Sequence, residues 1–296
     1  MTYGAWIILT GSLVGVTCGV IGCFLILRKM AMIADAISHT VLLGIVAAFL
    51  ISNSLEGINM FIGAVIVGLL TAFLIQLLDA SGVQSDAAIG VVFTSLFAVG
   101  VILLTSFASR VHLDVNHTLM GEIAFIPWNT LEIAGVDLGP KAVWILGSVL
   151  LINLIIIACF YKEIKIASFD PDMAIALGIP VMVIHYLLMG MLSISTVASF
   201  DSVGAILVVA MLIVPGATAY LLTDRLSIML ILSAVVGILS AVGGYYTALL
   251  SNVSISGSMA SVAGILFGLT FIFSPTHGLL SKLLARRKLK FNDSSN

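Results

Sequence analysis

The chain has 296 residues, 61% of them hydrophobic and only 9% charged, with a formal net charge of −2 at pH 7 and a mean hydropathy of +1.25. Such a composition excludes a soluble globular domain and leaves an all-α polytopic membrane protein. The net charge carries little information, because a lipid-embedded chain displays its charges only at its two ends, and nothing in it points to a nucleic-acid partner.

Apolar runs long enough to span a bilayer, about 17 to 25 residues each, fall at 5–27, 36–52, 58–78, 86–107, 142–160, 181–199, 202–222, 227–250 and 258–274. Eight or nine helices result. Only Ser199-Phe200-Asp201-Ser202 separates two of the runs, so one of that pair is either a full span or a short re-entrant helix.

The first run lacks the basic n-region and the small-residue cleavage pattern of a secretory signal and is too long for an h-region, so it is expected to stay as the first membrane helix. It carries Gly11, Gly15 and Gly19 at spacings of four, a ridge without side chains that lets another helix approach closely. Gly243, Gly244 and Gly257 serve either packing or motion, since glycine has both uses. Cys18, Cys23 and Cys159 sit in apolar runs without a C-x-x-C and read as small packing residues.

At the mouth of the second run stand Asp35 and His39. A spacing of four puts both side chains on one helix face, where a carboxylate oxygen and an imidazole nitrogen can converge on a divalent cation. Ionisable groups at membrane depth are functional candidates by default. The alternative is an Asp that N-caps the helix and a His packed against a neighbouring carbonyl. The run at 36 puts Asp35 near the end of its helix, whereas a transport site is expected closer to the midplane; either the helix starts earlier or the site lies deep. Carboxylate plus imidazole without sulfur suits Mn²⁺ or Zn²⁺ and not Cu(I), and Mn²⁺, which takes mostly oxygen ligands, is preferred over Zn²⁺. Histidine binds metal as the neutral imidazole, so acid is expected to weaken binding.

Further along, the segment 109–128 gathers His112, Asp114 and His117 and ends at Pro127 and Trp128. It is either a metal-binding cluster or, preferably, a docking surface for an external protein, with Pro127 and Trp128 at the membrane interface. The stretch from Phe169 to Pro180 reads as a short capped helix. Asp170 is placed to N-cap, Pro171 suits the first position, Asp172 favours the positive end of the dipole, and Gly178 and Pro180 end it. An apolar side of Met173, Ala174 and Leu177 is shaped to enter a groove on another protein, or else this is an ordinary interfacial turn.

If that stretch and the basic tail face the cytoplasm, alternation over nine helices brings Arg28, Lys29, Lys162, Lys165 and Arg225 to the same side. Only Arg110 and Lys141 fall outside, so the N-terminus is expected outside and the C-terminus inside. Among the other polar groups, His185 reads as a core histidine and Asp86 as a helix-start acid, while Asp201 either caps the run that follows it or lines an outer vestibule. Pro215 should kink its helix and leave a carbonyl free, which makes it a gate candidate.

Three stretches together resemble the membrane permeases of the ATP-binding-cassette importers for manganese, zinc or iron. They are Arg28-Lys29-Met30 leading to Asp35 and His39, Ser168 to Ile179, and Val203 to Ala219 with Pro215 and Thr218. The resemblance covers nearly the whole chain. It implies a permease-like bundle over 1–280 with a basic tail over 281–296, and it makes Asp35 and His39 transport-site ligands. It further implies a coupling helix near 168–179 involving Phe169, Asp170, Pro171, Met173, Ala174, Leu177 and Gly178. The expected partners are a cytoplasmic ATPase subunit, an extracellular solute-binding protein or lipoprotein, and a second permease chain, a copy or a homologue, in a bacterial cytoplasmic membrane. No permanently bound cofactor is expected, the metal being cargo. A secondary metal transporter is the more distant alternative, but no inverted repeat is visible. Protease motifs and a Walker A motif are both missing, so the chain is expected to be a transport subunit and not an enzyme.

Overall fold

The computed structural model describes residues 2–52, 57–107, 123–133, 136–274 and 278. Among them, nine helices are long and apolar enough to cross a membrane, as expected of a chain whose backbone polar groups must pair within each segment where no water is available. They are α1 (Tyr3–Leu27), α2 (Ala31–Ser52), α3 (Gly57–Ala80), α4 (Ser85–Phe107), α5 (Lys141–Cys159), α8 (Val181–Val203), α9 (Ala205–Leu222), α10 (Leu226–Ser251) and α11 (Ile255–Phe273), with the short α6 (Tyr161–Phe169) and α7 (Pro171–Ala176) between α5 and α8. At 1.5 Å per residue, α1 is about 38 Å long, enough to cross a hydrocarbon core of about 30 Å. Arg28, Lys29, Lys162, Lys165 and Arg225 fall at one end of the bundle by alternation of the spans, called the basic end below.

Helix α1 stands at the centre, packed against α5, α8, α9 and α10. Its glycine ridge explains the position. A Cβ on Gly15 would lie 2.9 Å from the backbone of Gly237 in α10, and one on Gly22 would strike the carbonyl of Leu212 in α9. Backbone meets backbone there, and contact that close between helices is available only without side chains. Gly244 likewise lies against the backbone of Met259 in α11, so packing accounts for it. Two groups flank the centre, α2 with α3 and α4 on one side and α9 with α10 and α11 on the other, and α8 bridges to α3 and α5. Cys18 and Cys23 are buried, Cys159 is exposed, and all three are free.

The break between α8 and α9 falls at Gly204 and not at Asp201. Gly204 has φ +81° and ψ 165°, a conformation open essentially to glycine alone, and it ends one helix and starts the next within a single residue. Asp201 is therefore inside the last turn of α8 and exposed, and it does not cap α9. Both helices are long and apolar enough to be full spans, which gives nine among the described residues. Asp86 does occupy the first turn of α4, and His185 is half-buried beside Tyr186, ring centroids 5.6 Å apart.

At the end opposite the basic one, a 3-10 turn over Ile123–Trp128 leads into a hairpin of β1 (Thr130–Ile133) and β2 (Val136–Pro140) that the apolar-run reading did not include. The strands pair antiparallel, Thr130 with Pro140 and Glu132 with Asp137. The Trp6 ring packs on Gly139, and the Tyr3 hydroxyl donates to the carbonyl of Ala124, tying this cap to the start of α1.

Candidate functional site

Helix α2 begins five residues earlier than its apolar run. The preceding helix stops in a left-handed cap, with Lys29 at φ +57°, Met30 N–H donating to Leu25 O and Lys29 N–H to Ile26 O, the bonding of a Schellman motif. Two cations at that helix end also complement its dipole. With α2 starting at Ala31, Asp35 lies about 6 Å and His39 about 12 Å along an axis of about 33 Å. Asp35 is too far inside the helix to cap it, and the depth conflict resolves in favour of an earlier start.

In this half of α2 one stripe is open, Met32, Asp35 and His39, while Ile33, Ala34, Ala36, Ile37 and Ser38 are buried. Both candidate ligands are on the open stripe. The side chains of His39 and Asp35 remain 36% and 37% accessible, and His39 Nε2 stands 3.5 Å from Asp35 Oδ1. For metal–ligand bonds of about 2.1 Å, two donors at that separation subtend about 110° at a shared ion, an angle that a single divalent cation accepts. Neighbouring hydroxyls are committed elsewhere: Ser38 Oγ donates to Ala34 O, Thr40 Oγ1 to Ile37 O, and Thr71 Oγ1 of α3 to Thr40 Oγ1. Among the described residues no group of three or more His, Cys, Asp or Glu converges. The described residues thus bring two candidate ligands together, Asp35 and His39.

The stripe closes just beyond His39, where Leu42 and Val46 are buried together with Leu104 of α4. A cavity of about 580 Å³ opens instead between α3, α5 and α8, lined by Leu69, Phe73, Ile152, Tyr186 and Gly190 among others, and includes neither candidate ligand. Its lining is almost wholly apolar, unsuited to an ion.

At the basic end the capped helix forms as its sequence predicts. Asp170 Oδ1 accepts from Met173 N–H at 2.9 Å, Pro171 takes the first helical position, and Gly178 at φ +76° ends it while Ile179 N–H donates to Ala174 O. One member of the expected face is corrected. Ala174 is fully buried against its own chain, and the exposed apolar residues are Met173, Ile175 and Leu177, with Phe169 at the end of α6. Ala174 is the one residue of this short helix that turns inward, and its neighbours on both sides are exposed.

Pro215 lies within a continuous α9 and is buried, its ring against Gly19 of α1. At the other end Trp128 is 76% exposed and meets Phe125 edge-on, ring centroids 6.0 Å apart. His112, Asp114 and His117 lie outside the described residues.

The sequence matches the model of the ABC 3 transport family over residues 2–274. The chain belongs to that family. It is 68% identical over 284 residues to the manganese transport system membrane protein MntD of Bacillus subtilis, covering 96% of each chain. It is 42% identical over 287 residues to the zinc transport system membrane protein TroD of Treponema pallidum, covering 97% of this chain and 78% of that one. The solved structure of PsaBC from Streptococcus pneumoniae in complex with Fab superposes with a TM-score of 0.78 at 34% identity over 94% of both chains. Membership of the ABC 3 transport family, with nine membrane-length helices among the described residues, makes the chain a multi-pass membrane transport subunit.

Proposed function

We propose that this chain is the permease of an ATP-driven manganese importer and that Asp35 and His39 bind the ion in passage. The observation that carries the reading is the pair of donors 3.5 Å apart on the one open stripe of α2. Two protein ligands hold an ion loosely, which suits a carrier that must release it. The manganese transport proteins among its relatives, MntD above all, support the choice of metal. Zinc is the second reading, favoured by TroD and by a donor angle of about 110°, which is closer to tetrahedral than to octahedral coordination.

The same stripe supports a second permease chain as partner. A carboxylate and an imidazole one-third open on the outside of a single chain would face lipid, at several kcal/mol if the carboxylate is charged, and a second chain covers them. The exposed Met173, Ile175 and Leu177 on α7, with Asp170 and Pro171 setting the helix and Gly178 ending it, dock on the ATPase subunit. The exposed Phe125 and Trp128, with His112, Asp114 and His117 in the adjoining segment, form the surface for an external metal-binding protein. The N-terminus lies outside the bacterial cytoplasmic membrane, and the transmembrane domain of 1–280 ends in a cytoplasmic tail over 281–296. Pro215 acts as a bending point, because its ring removes the bond to Met211 O inside a buried helix.

The test is uptake of Mn²⁺ and Zn²⁺, in parallel, by the complete transporter with and without His39→Ala. Loss of Mn²⁺ uptake with assembly intact is the expected result. Uptake of Zn²⁺ alone by the unaltered protein would transfer the reading to zinc, and undiminished uptake in His39→Ala would remove the site.

A further inference from the structure

Two phenyl rings of α4 contact the His39 imidazole on one side. The centroid of Phe93 lies 5.3 Å from that of His39 at an interplanar angle of 41°, and Phe97 meets it edge-on at 5.9 Å and 75°. The two rings also meet each other at 6.4 Å. Each is anchored separately. Phe93 packs against the main core of the bundle, whereas Phe97 packs against the smaller cluster of Leu42, Val46 and Leu104 that closes the stripe beyond His39. At those three distances both rings stand on the same side of the imidazole and, each held by its own cluster, they limit its movement toward α4.

A histidine on an open helix face ordinarily samples several rotamers, and only some of them aim Nε2 at the carboxylate one turn away. Here the ring stands with Nε2 3.5 Å from Asp35 Oδ1. We infer that Phe93 and Phe97 are positioning residues of the transport site: they hold His39 in the orientation in which it and Asp35 share one ion, and so set the affinity for the metal without touching it. This rests on the reading of Asp35 and His39 as the ligands.

The test compares Phe93→Leu, Phe97→Leu, Phe93→Tyr and Phe97→Tyr in the complete transporter reconstituted with its ATPase subunit. Two readouts are taken, the KM and Vmax of Mn²⁺ uptake, and Mn²⁺ binding without ATP, followed by loss of the free-ion paramagnetic resonance signal. An aromatic contact removed from a positioned ring is expected to weaken Mn²⁺ binding and raise KM roughly three- to tenfold per ring, with Vmax at saturating metal retained and the Tyr variants near the unaltered protein. A packing role alone predicts lowered Vmax or assembly at unchanged KM, and that result overturns the inference. Should a Leu variant assemble poorly, Met is placed at the same position and compared with Tyr, since affinity must follow the presence of a ring and not side-chain volume. Unaltered KM in the Leu variants while His39→Ala abolishes uptake refutes the positioning role and leaves the ligand reading standing. Normal uptake by His39→Ala refutes both.

Discussion

The exposed face of α7 allows a quantitative test of docking. Met173, Ile175 and Leu177 retain 54%, 63% and 57% of their accessibility in the single chain, so about half of each side chain is left for a partner to cover. Full burial of a side chain of this size is worth about 1.5–3 kcal/mol, and half of that, summed over three positions and reduced for the methyl that alanine keeps, is about 2–3 kcal/mol. The entropy lost on association is common to both proteins and cancels in the comparison. Changing the three residues together to alanine should therefore weaken binding of the ATPase subunit by roughly 30- to 150-fold at 1.4 kcal/mol per decade. Alanine also preserves helix propensity, so α7 itself should persist. The assay is titration of the ATPase subunit onto the permease in lipid nanodiscs, with ATP hydrolysis and metal uptake followed on the same material. Unchanged affinity in a triple variant that folds normally would refute the docking face, whatever its effect on uptake.

Substitution at Ala174 should act differently from substitution of its neighbours. Ala174→Glu places a carboxylate where no accessible surface exists, and the penalty of several kcal/mol for an unpaired buried charge should appear as lost folded protein on size-exclusion chromatography, not as selective uncoupling. Asp170→Ala removes the bond to Met173 N–H and should cost about 1 kcal/mol of cap, fraying α7 and raising its amide exchange; unchanged exchange there would count against the cap. Gly237→Leu forces a side chain against the backbone of Gly15, already 2.6 Å from where a Cβ would stand, so α1 and α10 must separate. A cost above the 1–3 kcal/mol of ordinary overpacking is expected in thermal unfolding, and a melting temperature within a degree of the unaltered protein would contradict that packing.

The membrane spans were legible because each is a local matter. A helix in lipid satisfies its own backbone, so run length and composition suffice to find it, and the start and stop of α7 could be read at Asp170, Pro171 and Gly178 for the same reason. The boundary at Gly204 was less legible, since a charged residue three positions earlier drew the break to Asp201, whereas backbone conformation at the glycine decides it. The start of α2 carries no capping residue at all; it is set by the left-handed turn at Lys29. The hairpin before α5 leaves a faint trace, alternation across Thr130 to Ile133 and Val136 to Leu138 about the Ala134-Gly135 gap, which is the two-residue hairpin spacing.

Asp35 and His39 were found as rare polar groups at a helical spacing, and spacing in sequence brings them to one face of α2 in any fold that keeps the helix. Phe93 and Phe97 carried no comparable signal. In a water-soluble helix the polar face reveals which side turns inward, but α2 and α4 are apolar on nearly every side, and their sequences do not say which stripe faces which neighbour. Ala174 was assigned outward on the same grounds and proved buried. The sequence by itself determined the spans, their caps and the chemistry of the two candidate ligands, all consequences of local bonding and of exclusion from water. Only the tertiary structure decided which stripe of α2 stays open, which rings contact His39 and which residues of α7 are exposed, because in a uniformly apolar bundle helix rotation is set by side-chain packing between segments distant in the chain.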